Sequence, residues 1–419
     1  MDHVRGLRCM LCGATFASDE VAYVCPRHGN EGILDVIYDY DIIRSRISQA
    51  ELRDNRELSM WRYKALLPVL RDALPPPLRV GWTPLYPVPR LGAPLGLHDL
   101  WVKDDGVNPT GSFKDRASAL AVVKAQEAGA EVMTTASTGN AAAALAGLAA
   151  SVGMKVVIFV PQSAPLAKIA QHLIYGARVL LVDGSYDDAF DLTLEAARTY
   201  GWYVRNTAYN PFMTEGKKTA AYEICEQLGW QPPEFIFVPV GDGCIIGGIH
   251  KGLKDLLALG WIDRMPRLIG VQAEGSAALV DAFRRGLSPE AIRPIKAHTV
   301  ADSIAACMPR DRAKALAAVR ETGGTFLAVS DADILAAIPV VARRTGIFCE
   351  PAAAAAYAGL VKAVDEGLVP PGARTVLLLT GSGLKDVASA MKTVSRPAVV
   401  PPELEAACEA LEAPRPVDG

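Results

Sequence analysis

From Leu100 onward the chain alternates short apolar runs with stretches of helical periodicity. The pattern predicts strands at Leu100–Lys103, Glu131–Thr135, Lys155–Val160, Arg178–Val182, Trp202–Arg205, Glu234–Val240, Arg267–Gln272 and Arg374–Thr380. Val156 to Val160 and Val376 to Leu379 are continuously apolar, as parallel strands covered on both faces require. Strands separated by helices predict an α/β fold with more than one open twisted sheet flanked by helices. Residues from about Leu34 to Leu78 read as mixed and mostly helical, ending at Pro75-Pro76-Pro77, which cannot continue a helix. From about Ser395 the chain is Pro-rich and then acidic, so a packed sheet element is not expected there. No internal repeat is visible.

Half of the 419 residues are apolar, enough for a large core and about two domains plus extras. The formal net charge is −3, with no basic stripe to follow a phosphodiester backbone, which argues against nucleic acid as a partner. Met1-Asp2-His3-Val4-Arg5 lacks the apolar core of a signal peptide. The longest uncharged stretch, around Thr134–Met154, is built from Ala, Gly, Ser, Thr and Asn and is too polar for a membrane span. A cytoplasmic protein with no membrane partner is expected. Of eight cysteines, Cys225, Cys244, Cys307, Cys349 and Cys408 are scattered, as reduced thiols would be. Cys9 and Cys12, each within a C-x2-C knuckle, are followed by Cys25-Pro-Arg-His28. Three thiolates and one imidazole at this spacing predict a small N-terminal ribbon around a closed, structural zinc.

Four stretches carry candidate chemistry. Asn108-Pro-Thr-Gly-Ser-Phe-Lys114-Asp-Arg116 is a turn opening into a helix, with Ser112 as the expected N-cap. It places Lys114 at the positive end of the helix dipole, which eases the side chain toward a neutral, nucleophilic amine. The competing reading is a surface lysine paired with Asp115. Ser137-Thr138-Gly139-Asn140 enters a helix after a strand, making an anion site with Asn140 beside it. Gly241-Asp242-Gly243-Cys244-Ile245 also follows a strand and opens a helix. With Ile246 at the third glycine position it fails the dinucleotide fingerprint and reads as a phosphate cup. Thr380-Gly-Ser-Gly-Leu-Lys-Asp386 puts a hydroxyl at a strand's carboxyl end.

In this order, these stretches resemble the fold-type II pyridoxal 5′-phosphate (PLP) enzymes, specifically threonine synthase and its close paralogues. Lesser matches are Trp82-Thr-Pro-Leu85, Gly184-Ser-Tyr-Asp-Asp188 and Glu350-Pro351-Ala-Ala. The resemblance implies two open twisted sheets. The expected division is a ribbon at 1–35, a large PLP-binding domain from 36–105 and 206–395, a small domain at 106–205 and a Pro-rich tail at 396–419. By resemblance, Lys114 would carry PLP in imine linkage and act as base. Asn140 would bond the ring oxygen, Gly241 to Ile245 would wrap the phosphate, and Thr380 would face the ring nitrogen. Ser137, Thr138 and Gly139 would meet the substrate's carboxylate.

The implied reaction is O-phosphohomoserine plus water giving threonine plus phosphate, in a homodimer. The alternatives are a PLP-dependent ammonia-lyase or β-replacing enzyme acting on serine, threonine, phosphoserine or a diamino acid, or a non-catalytic PLP-fold protein. Two positions depart from the resembled pattern. Met213 stands where those enzymes carry an arginine for the substrate phosphate, leaving Lys217 or Lys218 as candidate substitutes. Asp242 replaces a frequent asparagine, and its carboxylate is expected to turn from the phosphate and cap the following helix.

Overall fold

Three sheets organise the chain in the computed structural model, which describes residues 1–164 and 166–412. The first is the ribbon: β1 (Val4–Cys9), β2 (Thr15–Phe16) and β3 (Leu34–Tyr38), antiparallel in the order β2-β1-β3. β3 continues to Tyr38, past the expected ribbon limit at 35, and the segment after it is helical only in short turns.

The remaining strands follow in chain order as β4 (Leu85–Pro87), β5 (Leu100–Asp104), β6 (Val132–Ala136), β7 (Lys155–Pro161), β8 (Arg178–Val182), β9 (Tyr203–Val204), β10 (Phe235–Pro239), β11 (Arg267–Ala273), β12 (Thr325–Val329) and β13 (Thr375–Leu379). The small sheet is parallel, in the order β8-β7-β6-β9. The large one runs β12-β11-β10-β13-β5-β4, parallel except for β4. Every strand expected from the pattern forms, each within a residue of its expected bounds. Every residue of β10 and of β13 is buried, because helices cover both faces of the large sheet.

The helices that matter for the site are α1 (Lys114–Glu127), α2 (Asn140–Ala150), α3 (Phe212–Lys217), α4 (Cys244–Leu259), α5 (Arg312–Glu321) and α6 (Pro351–Asp365). Gly216 and Gly248 let α3 pack closely. A Cβ on Gly216 would lie 2.2 Å from the Arg116 carbonyl oxygen, and one on Gly248 would lie 2.6 Å from Lys217 Cβ. Beneath α1, the buried Arg116 guanidinium bridges two carboxylates, Nε to Asp105 Oδ2 at 2.6 Å and Nη2 to Glu223 Oε2 at 2.8 Å. Lys103 Nζ joins Glu223 at 2.7 Å. This network ties the lysine-bearing turn to the large sheet.

The ribbon shares the apolar core of the large sheet's helices and adds polar contacts. Tyr38 Oη donates to Glu215 Oε2 at 2.6 Å, and Lys251 Nζ donates to Asp35 Oδ2 at 2.9 Å. In the expected tail, residues 404–412 form a helix without buried residues, and 413–419 lie outside the described residues. Among the described residues no helix is long and apolar enough to cross a membrane.

Candidate active site

Lys114 is the first residue of α1 and faces a cavity of about 460 Å³ between the small and the large sheet. Its turn is stitched to the carboxyl end of β13. Ser112 bridges to Gly381, and the Phe113 N–H donates to the Thr380 carbonyl at 2.9 Å. That pairing occupies the backbone of Ser112, so the expected N-cap does not form. Phe113 takes the cap position, and Ser112 Oγ is buried with no partner among the described residues. Asp115 does not pair with Lys114 either. Its carboxylate turns back to accept the Thr110 N–H at 2.7 Å and the Thr110 hydroxyl. Burial therefore dominates Lys114 and pushes its pKa down, toward the neutral amine, against the milder pull of Cys244, Glu350 and Asp242.

Ser137, Thr138, Gly139 and Asn140 line the same cavity at the N-terminus of α2. The Asn140 amide is held from behind, Nδ2 donating to Glu350 Oε2 at 3.0 Å and to Ser303 Oγ at 3.2 Å. Gly241 to Ile245 form the opposite wall. Gly243 adopts φ +94° as the cap of α4, and a Cβ on Gly241 would lie 2.9 Å from Ile304 Cα. Both positions need glycine. Asp242 lines the cavity and does not cap α4. Its Oδ1 accepts the Arg310 N–H at 3.3 Å, because its own carbonyl already accepts the Asp311 N–H at 2.9 Å and draws the residue toward α5.

The two candidate lysines part company. Lys217 Nζ is buried with no hydrogen-bond partner among the described residues, and its field reaches Lys114, Arg205 and Cys244; burial lowers its pKa to about 8. Lys218 points the other way, 2.6 Å from Glu215 Oε2 and 2.8 Å from Asp255 Oδ2, with its Nζ 4.0 Å from the centre of the Tyr38 ring. Its charge is neutralised outside the cavity, so it is not available to a substrate. Met213 is buried in the apolar core between α1 and the small sheet. Sequence reasoning missed Arg205, which follows β9 and lines the cavity with Asn206 and Thr207. A charged residue closing an otherwise apolar strand was its only signal.

A model of the family described as "Pyridoxal-phosphate dependent enzyme" matches residues 77–381. The chain belongs to that family. It is 42% identical to a threonine synthase of Methanocaldococcus jannaschii over 93% of its own length and 95% of that protein's. It is 41% identical to a threonine synthase of Methanosarcina acetivorans over 97% and 98%. Among solved structures, diaminopropionate ammonia lyase of Escherichia coli matches with a TM-score of 0.64 at 19% identity, covering 82% of this chain and 91% of that one. Threonine deaminase isoform 2 of Solanum lycopersicum matches with a TM-score of 0.64 at 23%, covering 74% and 86%. At these identities the structural likeness carries the fold alone.

The residues present fit the cofactor of this pyridoxal-phosphate dependent family. The cavity holds a half-buried amine biased toward neutrality, which an aldehyde requires. Its far wall is a glycine loop at a helix N-terminus, where backbone N–H groups meet a phosphate. Its volume falls within the roughly 300–1,000 Å³ common for small-ligand sites.

At the N-terminus, Cys9, Cys12, Cys25 and His28 bring their ligand atoms within 4.8 Å of one another. Cys12 Sγ lies 4.0 Å from Cys25 Sγ, and Cys9 Sγ lies 3.8 Å from His28 Nδ1. A tetrahedron with metal–sulfur bonds of about 2.3 Å has S···S edges of roughly 3.8 Å, so the cluster matches zinc.

Proposed function

We propose that this protein is a threonine synthase, converting O-phospho-L-homoserine and water into L-threonine and inorganic phosphate. The observation that carries the proposal is the half-buried Lys114 amine, without a hydrogen-bond partner among the described residues, where three motif loops line one cavity. The two archaeal threonine synthases, matched over nearly their whole lengths, support it. When bound, PLP supplies an aldehyde for the amine and a conjugated ring that takes up the electron pair released at the substrate's Cα.

The side chains of this protein do the rest. Lys114 Nζ holds the aldehyde and, once exchanged for the substrate's amine, is the base for the Cα proton. Gly241, Asp242, Gly243, Cys244 and Ile245 hold the cofactor phosphate by backbone N–H groups, and Asn140, oriented by Glu350, holds the ring oxygen. The Thr380 hydroxyl, at the end of β13, serves the ring nitrogen without charging it. Ser137, Thr138 and Gly139 hold the carboxylate. Lys217, rather than Lys218, supplies positive charge near the leaving phosphate. The Cα proton leaves, a Cβ proton is lost, and the Cγ–O bond breaks with release of phosphate. Cγ then takes a proton, the water oxygen bonds to Cβ as water gives up a proton, and the Cα proton is returned last.

We also propose a structural zinc on Cys9, Cys12, Cys25 and His28, with no position open for catalysis. Stoichiometric threonine and phosphate from O-phospho-L-homoserine, lost together with the visible cofactor absorbance in Lys114→Ala, are the expected results. Deamination of serine, threonine or a diamino acid, with no threonine formed from the phosphate ester, would replace this reading with the ammonia-lyase one.

A further inference from the structure

Arg205 is wholly buried and yet has no carboxylate partner among the described residues. Nε donates to Ser118 Oγ at 3.0 Å and Nη1 to Thr207 Oγ1 at 2.7 Å, both neutral acceptors. Nη2 has no partner among the described residues. Arg116, equally buried, shows the usual arrangement, with Asp105 and Glu223 on its guanidinium. Beside Arg205 stand two further basic side chains, Lys217 and Lys114; burial first, then the fields of Arg205 and Lys114, lower the pKa of Lys217. Arg205 and Lys114 line the cavity, and Lys217 packs close enough to feel both. A buried charge persists only where a partner compensates it. The phosphate cup at α4, on the large sheet, accounts for a single anion. Arg205 lies on the small-sheet wall, next to Thr207, and its Nη2 remains unmatched among the described residues.

We infer that Arg205, with Lys217 behind it, is the recess for a dianionic leaving group on the substrate. It supplies from the end of β9 the guanidinium that Met213, buried in the core, does not provide. The inference rests on the proposed reaction and deepens it: the substrate class is amino acids whose side chain ends in a phosphate monoester or an equivalent dianion. A planar guanidinium grips two phosphate oxygens at once, and a lysine replaces only its charge.

The test uses PLP-loaded full-length protein as wild type, Arg205→Gln and Arg205→Lys. Arg205→Gln should raise KM for O-phospho-L-homoserine roughly 10- to 100-fold with kcat changed far less, and Arg205→Lys should recover part of the loss. Calorimetric titration of the same holoproteins with inorganic phosphate should show at least about tenfold weaker binding in Arg205→Gln. Retained cofactor absorbance after gel filtration confirms that the variant is folded. Loss of PLP would assign Arg205 to the cofactor's phosphate and overturn the inference. So would a fall in kcat at unchanged KM, or unaltered phosphate binding. If wild type forms no threonine, the proposed reaction fails, and the phosphate titration still decides the recess.

Discussion

The hydroxyl oxygen of Tyr23 lies 3.1 Å from the backbone nitrogen of Val204 and accepts its N–H. Tyr23 stands two residues before Cys25, and Val204 directly precedes Arg205. Its ring also packs on Tyr203 and Tyr209, at centroid distances of 5.9 and 5.1 Å. The metal-ligand cluster and the cavity wall are therefore one hydrogen bond apart. Tyr23→Phe leaves a buried N–H unsatisfied and should lower stability by about 1–3 kcal/mol in urea denaturation. It should also raise KM for a phosphorylated substrate roughly severalfold by loosening Arg205. An unchanged KM would show that the ribbon only covers the strand.

Zinc content should be about one per chain by metal analysis. Cys9→Ser should abolish it and lower stability by more than about 3 kcal/mol, because a structural site contributes its binding energy to folding. The cofactor content of the folded fraction should not change, since no ribbon ligand lines the cavity.

The burial of Lys217 has a pH signature. Its folded pKa, about 8, lies below its ordinary 10.5, so the unfolded chain binds more protons between those values. The full penalty, about 3 kcal/mol, acts below pH 8 and is relieved as pH rises toward 10.5. Lys217→Met should therefore stabilise the PLP-free protein at pH 7 and flatten its rise in stability between pH 8 and 10. Thermal melts across that range check this. A steeper rise in the variant would contradict it.

Gly243 combines φ +94° with a tight neighbour: a Cβ there would lie 2.6 Å from Ala315 Cβ. Gly243→Ala should cost about 2–4 kcal/mol of stability and weaken PLP binding more than about tenfold, measured by cofactor titration.

Much of this was legible from the amino acids. The continuous apolar runs at Val156–Val160 and Val376–Leu379 marked strands, and turn residues at their carboxyl ends marked the cavity. β12 escaped notice because its short apolar run lies between Ala-rich helices, where periodicity does not separate a buried strand from helix. Lys217 and Lys218 are neighbours that a helix rotates by about 100°, so only packing reveals which lies near Lys114 and Arg205. Arg205 stayed hidden because its significance lies in what it lacks. Its neutral partners, Ser118 and Thr207, give no signal until the chain is folded.

β9, two residues long, is an edge strand of its sheet, paired only with β6, and Tyr23 takes up the outward-facing N–H of Val204. The ribbon thus covers this edge of the sheet. Stripped of residues 1–35, the protein would present raw backbone that another copy could zip onto. Sedimentation of such a truncation should reveal growing oligomers, while the intact chain keeps a fixed size.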